Sequence, residues 1–126
     1  MARVLALSAD LLFGSRLQAD LAAGGHQLEL IGDAGRLGER LDDDQAPAAS
    51  VLIADLTDDR LDGAAAIEAL RGEGRLSGLA TIAFYSHVEG DVRTRAERAG
   101  FDVVVPRSRM ARESAALVSR LAQADS

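Results

Sequence analysis

The chain has 126 residues, 48% hydrophobic and 27% charged, which is the composition of one ordinary globular domain. It contains no Cys and no Lys, which excludes a disulfide, a zinc-thiolate site, a thiol nucleophile and a lysine Schiff base. The net charge of −6 argues against nucleic acid as the main partner. No apolar run is long enough to cross a bilayer and the N-terminus lacks a signal-peptide pattern, so we expect a cytoplasmic protein with no membrane contact.

The first half of the chain alternates short apolar runs with helical patterns, and Gly24-Gly25 marks the end of its longest helix. The predicted elements are a strand at 3–7, a helix at 10–23, a strand at 27–31, a weak helix at 36–41 and a strand at 51–55.

The second half repeats this alternation, with Asp62 placed to cap its first helix and Pro106 to stop its last strand. The predicted elements are a helix at 63–71, a strand at 81–85, a helix at 88–99, a strand at 102–105 and a helix from Ser108, its cap, to about 122.

Five strands and five helices in strict alternation predict a parallel sheet, because strands without polar alternation are covered on both faces. Right-handed crossovers then favour an α/β fold with a doubly wound, five-stranded, flavodoxin-like sheet of order 2-1-3-4-5 and helices on both faces. We expect one domain, residues 1–126, with no attached output domain.

In such sheets, ligands bind beyond the carboxyl ends of the strands. Polar or small residues follow the predicted strands at that edge and form the candidate pocket. They are Ser8, Ala9, Asp10, Asp55, Ser86 and Arg107.

Four features of this edge occur together. Asp55 ends the third strand, Gly63 follows eight residues later, Ser86 ends the fourth strand, and residues 99–102 read Ala-Gly-Phe-Asp before the fifth. This set resembles the two-component response-regulator receiver domain (CheY-like), and the resemblance covers essentially the whole chain. It implies that Asp55 is the equivalent of the phosphoacceptor and that Ser86 and Val104 occupy the positions of the conformational switch.

The departures from that family are more informative than the matches. Receivers hold Mg²⁺ with an acidic pair at the end of the first strand, where this chain has Ser8 and Ala9. Asp10 lies next to them and reads as a helix cap or a solvated residue. The invariant Lys of the family is replaced by Arg107, and the switch aromatic by Val104.

Two more positions depart in the same way, since the Pro after that Lys is Ser108 and the Pro four residues after the phosphoacceptor is Asp59. We therefore predict a stand-alone degenerate receiver that acts by protein–protein contact independently of phosphorylation, and that is not an enzyme and has no metal and no cofactor. The alternative is a response regulator phosphorylated at Asp55 with atypical Mg²⁺ binding. A flavodoxin-like domain for an unrelated small ligand is a third hypothesis that no specific residue supports.

The pocket residues also have structural interpretations. Asp55, Ser86 and Arg107 are expected to form a hydrogen-bonded network, in which an Asp55–Arg107 ion pair would mimic a neutralised site. His87 lacks a Ser–His–Asp arrangement and reads as a surface residue, and His26 reads as a solvent-facing turn residue. The glycines of residues 32–38 do not form a phosphate-binding pattern.

Arginines accumulate on the last two predicted helices. They are Arg93, Arg95, Arg98, Arg109 and Arg112. In receivers this region is the partner and dimer face, so the resemblance implies a protein partner or a homodimer through the last two helices. The alternative is an arginine-rich but ordinary solvated surface.

Overall fold

The computed structural model describes residues 2–43, 45, 48–86 and 90–124. Strands and helices alternate along the chain. The strands are β1 (Arg3–Leu7), β2 (Gln27–Ile31), β3 (Val51–Asp55), β4 (Ala80–Tyr85) and β5 (Val103–Pro106). The helices are α1 (Leu11–Ala23), α2 (Ala34–Leu41), α3 (Gly63–Gly72), α4 (Gly90–Ala99) and α5 (Arg107–Ala124). Within the described ranges, no helix combines the length and the apolar character needed to span a membrane.

The five strands form one parallel sheet in the order β2-β1-β3-β4-β5, which confirms the predicted topology. β3 lies in the centre with all of its residues buried, and the register places Asp55 opposite Phe84 and Ala54 opposite Leu7. The parallel arrangement brings the carboxyl ends of β1, β3, β4 and β5 to one edge.

Helices cover both faces of the sheet, as predicted. Alternate strand residues enter two separate apolar clusters, with Leu5 in one and Val4 in the other. Phe13 on α1 and Met110 on α5 pack into the cluster of Val4, whereas α2, α3 and α4 cover the cluster of Leu5. One side of α1 and one side of α5 are buried here. Their buried members are Leu17, Leu21, Ser114, Leu117 and Val118.

Aspartate side chains cap the helices that frame the predicted site. Oδ1 of Asp10 accepts a hydrogen bond from Phe13 N at 3.0 Å and begins α1. Asp62, in the left-handed region with φ 43°, accepts one from Ala65 N at 3.3 Å and begins α3. Both caps follow the sequence prediction, and the cap at Asp10 directs that side chain to the edge of the sheet where the carboxyl ends lie.

Several predicted boundaries were wrong by a few residues. α2 begins at Ala34 because Asp33 caps it, with the Asp33 carboxylate accepting from Gly35 N. Pro106 belongs to β5, which an edge strand tolerates, and the chain passes directly into α5 at Arg107. α5 is interrupted at Glu113, where φ is −124°. The predicted start of α4 at residue 88 lies outside the described residues, as does His87.

The prediction that His26 faces solvent was wrong. His26 is buried, its Nδ1 accepts from the Ala2 backbone N–H at 3.2 Å, and its Nε2 lies 2.8 Å from the Ser119 hydroxyl. Gly25, with φ 85°, turns the chain into β2 and brings the imidazole between β1 and α5. His26, which directly precedes β2, therefore connects the start of β1 to α5 through two hydrogen bonds.

Candidate functional site

Asp55 ends the central strand, and its side chain is only 1% exposed. Three donors reach its carboxylate. The Ser8 hydroxyl donates to Oδ2 at 2.7 Å, and the Thr57 N–H and hydroxyl both donate to Oδ1, at 2.8 and 2.5 Å. Both oxygens of this buried acid are thus satisfied within the protein, as buried polar groups require.

Ser8 connects this carboxylate to the start of α1. Its backbone N–H donates to Ile31 O, which extends β1 by one residue along β2. Its hydroxyl oxygen accepts from the Asp10 N–H at 3.2 Å while the hydroxyl proton is donated to Asp55. A hydrogen-bonded chain therefore runs from the α1 cap through a serine to the buried acid, at the position where a receiver carries an acidic residue.

Arg107 begins α5 and points to α1. Its Nη2 lies 3.0 Å from Asp10 Oδ2, and its guanidinium carbon lies 4.3 Å from the centre of the Phe13 ring. The ion pair is roughly half exposed, and the ring contact adds a cation–π attraction. Asp10 thus serves two partners, capping α1 with one oxygen and holding Arg107 with the other.

The expected network of Asp55, Ser86 and Arg107 was wrong. Among the described residues, Asp55 has its hydrogen bonds with Ser8 and Thr57, and Arg107 has its ion pair with Asp10. The physical reason is that the Asp10 carboxylate, at the start of α1, forms the ion pair with the Arg107 guanidinium. The Asp55 carboxylate already accepts hydrogen bonds from the neutral groups of Ser8 and Thr57.

Among the described residues, neither switch-equivalent position is hydrogen-bonded to Asp55. Ser86 is half-buried and lines a cleft of about 370 Å³ between α1 and α5, together with Phe13 and Arg107. Val104 is half-buried and packs against the apolar cluster on the opposite face of the sheet. These positions keep their places in the fold, and their switch role stays a prediction.

The cleft around Asp55 is acidic. It has a volume of about 570 Å³ and its rim includes Ala9, Asp10, Asp58, Asp59 and Arg60. Arg60 forms a forked ion pair with Asp58, with both N···O distances 3.1 Å. The hydrogen bonds of that guanidinium hold the pKa of the Asp58 carboxyl below its usual range, and the same pair raises the pKa of Arg60.

The described residues do not fit the Mg²⁺ that receiver domains commonly bind at this position. Ala9 has no side-chain ligand atom, and the Ser8 hydroxyl donates its proton to Oδ2 of Asp55, so a carboxylate pair is missing and one oxygen of the remaining acid is already hydrogen-bonded. Within the described ranges there is no group of three or more His, Cys, Asp or Glu side chains able to hold a metal ion. That the site holds no metal stays a prediction.

Most arginines of the predicted partner face form ion pairs with glutamates of the same chain. Arg95 reaches across to Glu68 of α3 at 2.5 Å, and Arg93 lies 3.8 Å from Glu97 on α4. Arg109 and Arg112 share Glu113 on α5. Arg98 is exposed, and no described acid pairs with it.

Sequence reasoning missed two features of this edge. Thr57 is the main partner of Asp55, and a signal was available, because an Asp side chain in a turn often accepts from the backbone N–H two residues on, which here is that of Thr57. Leu11 and Leu12 are 73% and 88% exposed at the start of α1.

No protein-family model and no curated protein matches the sequence. Solved structures do match its fold. The receiver domain of the Francisella response regulator 1452 superposes with a TM-score of 0.84 at 14% identity, covering 100% of both chains. A CheY-like receiver domain protein from Methanospirillum hungatei gives 0.81 at 14% identity, covering 99% of this chain and 96% of that one.

The chain has the receiver-domain fold.

A protein of Burkholderia pseudomallei described as pilus assembly-related also shares this receiver fold, with a TM-score of 0.75 and 22% identity over 98% of this chain and 90% of that chain. Response-regulator receiver domains and a pilus assembly-related protein thus have the same fold, and sequence identities this low establish only the fold of this chain. The function of this receiver fold must be argued from the site.

Proposed function

We propose that this domain is a degenerate receiver that acts by protein–protein contact without phosphorylation of Asp55, without a cofactor and not as an enzyme. The observation that carries the proposal is the hydrogen bonding of Asp55, whose two carboxylate oxygens accept three donors from Ser8 and Thr57.

Phosphorylation of an aspartate requires one carboxylate oxygen to attack the phosphorus of a donor while negative charge on the transferred group is neutralised. In this protein the attacking oxygens are engaged, Ser8 stands in place of a metal ligand, and Arg107 is held by Asp10. Asp59, on the rim of the same cleft, adds charge of the same sign as the incoming group. Each of these features opposes the transfer.

Two surfaces support a role in protein contact. Leu11 and Leu12 expose adjacent apolar side chains at the start of α1, directly after Asp10 of the cleft rim, and a bound partner protein would remove this apolar surface from water. Arg93 and Arg98 are exposed on α4, within the face that the resemblance assigns to partners. We propose a protein partner, or a second copy, that binds through α4 and α5, and no nucleic acid or membrane.

The phosphoacceptor question is tested by incubating the protein with acetyl phosphate and Mg²⁺ and measuring its intact mass. We expect that neither the wild type nor Asp55→Asn gains the mass of a phosphoryl group, and that Mg²⁺ with beryllofluoride does not raise the melting temperature of the wild type. A phosphoryl adduct that forms in the wild type and disappears in Asp55→Asn would establish the alternative, a phosphorylated response regulator.

Solution mass tests the partner face. Light scattering over a range of concentrations should show a dimer that Arg93→Glu/Arg98→Glu weakens if a second copy binds there. A monomer in both proteins removes the homodimer and leaves a different protein as the partner.

A further inference from the structure

A second groove lies beside the Asp55 cleft, between the loop after β3, the start of α3 and α4. It has a volume of about 340 Å³. Asp58 and Asp59 line both concavities, so the loop after β3 separates the cleft of Asp55 from this groove. We call it the α3–α4 groove. Its further lining residues are Leu56, Asp62, Gly63, Ala64, Asp91, Val92 and Arg95.

The floor of the α3–α4 groove is apolar. Leu56 and Ala64 are buried and Val92 is half-buried. Gly63 begins α3 directly over Leu56, where an added Cβ would lie 2.8 Å from a Leu56 methyl carbon. The start of α3 can pack directly on the Leu56 side chain because Gly63 has no side chain of its own.

The rim of the α3–α4 groove carries negative charge that the protein does not neutralise. Asp58 is paired with Arg60. Asp59, Asp62 and Asp91 have no ion pair within the described ranges, although the field of Asp62 helps to raise the pKa of Arg95.

Arg95 is the one cation among the described lining residues, and it is already bound. Its guanidinium lies 2.5 Å from Glu68, and their hydrogen bond lowers the pKa of the Glu68 carboxyl and raises that of Arg95. The pair braces α3 against α4 and leaves little positive charge for the rim. The groove therefore combines an apolar floor with a rim of surplus carboxylates.

We propose that the α3–α4 groove binds a basic amphipathic segment of a partner protein, with the stem of an arginine or lysine on the apolar floor and its charged head among the rim carboxylates. This inference rests on the proposed role as a protein-binding module. Long cationic side chains have this dual character, since their methylenes pack on apolar surface while their charged ends seek acidic groups. A volume of about 340 Å³ suits a few side chains of such a segment.

The experiment is an NMR titration of the labelled protein with two synthetic helical peptides. One carries leucine and arginine on a common face, and the other carries glutamate at every arginine position. We expect the basic peptide to shift the amide signals of Leu56, Ala64 and Val92, and the acidic peptide to leave them in place. Shifts distributed over unrelated surfaces would overturn the proposal.

Matched variants separate the groove from general charge attraction. Asp59→Asn/Asp91→Asn should weaken binding of the basic peptide about tenfold, because paired charges guide such contacts. Asp20→Asn/Glu39→Gln makes the same change in net charge outside the groove, at a half-exposed residue near Arg16 and at an exposed one, and should leave the affinity within about twofold. Equal losses in both double variants would overturn the proposal.

Val92→Lys provides a second test from the apolar side, because it places a competing cation in the groove and should abolish the localised shifts. Retained binding in a folded Val92→Lys protein would overturn the proposal. Shifts of the same signals when the protein concentration is raised without peptide would also overturn it, because they would show that a second copy of the chain binds in the groove.

Repeating the titration with acetyl phosphate and Mg²⁺ separates this inference from the proposed function. An adduct on Asp55 contradicts the proposed function, whereas localised peptide shifts in the same sample still support the groove.

Discussion

Asp55 and Arg107 both lie at the edge of the sheet where the carboxyl ends of the strands meet, but they differ in burial and in the kind of partner that holds them. Asp55 is 1% exposed and held by neutral donors, whereas the side chain of Arg107 is 47% exposed and is held by one charge and one aromatic ring. Burial makes the first group costly to disturb, and solvent screening makes the second weak. The carboxylate and the cation that the resemblance would pair have different partners, and they are connected through Ser8 and Asp10.

The largest effect is expected from restoring an acidic pair. Ser8→Asp/Ala9→Asp removes the donor to Asp55 and adds a carboxylate beside a buried one, so unfolding free energy should fall by about 3 kcal/mol or more without metal. Mg²⁺ at about 100 times its Kd should restore roughly 2.7 kcal/mol. Thermal melts with and without Mg²⁺ measure both changes.

The matched control is Ser15→Asp/Ala19→Asp, which adds the same charge on the exposed side of α1. It should respond little to Mg²⁺. Stabilisation of the wild type by Mg²⁺ as large as that of the acidic-pair variant would show that the wild-type pocket already accepts the ion.

A smaller loss is expected from Ser8→Ala. The change leaves one oxygen of the buried Asp55 without its donor, and the Asp10 N–H without its acceptor, which costs about 1–3 kcal/mol. Chemical denaturation measures the loss, and exposed Ser15→Ala serves as the control with a change of less than about 0.5 kcal/mol. A Ser8→Ala protein as stable as its control would mean that the Asp55 cluster contributes nothing.

The smallest single effect is expected from Arg107→Ala. Losing a half-exposed ion pair and a ring contact should cost about 1 kcal/mol, and high salt should reduce this cost. Arg120→Ala, an exposed change on the same helix, is the control.

Combining Arg107→Ala with Ser8→Ala measures the energetic coupling of the two side chains directly. We expect a coupling energy below about 0.5 kcal/mol between the two substitutions. A larger value would show that Asp10, which contacts both Ser8 and Arg107, couples the two side chains energetically.

Most of the fold could be predicted from the sequence because its signals are local. Unbroken apolar runs indicate buried parallel strands, and the caps at Asp10 and Asp62 were readable from residue type and position. The boundary of α2 failed because Asp33 and Gly35 read as loop residues, although their hydrogen bond begins the helix.

The candidate site could be predicted only as a set of neighbours. The resemblance identified Asp55, Ser8 and Arg107, and the sheet brings all three to one edge. Their pairing was not predictable, because the Ser8–Asp55 bond joins residues 47 positions apart and the Arg107–Asp10 bond joins residues 97 apart. A difference of a few ångströms in such placements decides which donor meets which acceptor.

The sequence by itself determined the alternation of strands and helices, the order of the sheet and the edge at which Asp55 lies, since periodicity and burial are encoded along the chain. Only the tertiary structure decided that Ser8 satisfies Asp55, that Asp10 captures Arg107, that His26 is buried, and that carboxylates surround an apolar groove between α3 and α4. Side-chain partners depend on distances between elements that meet only when the sheet is complete.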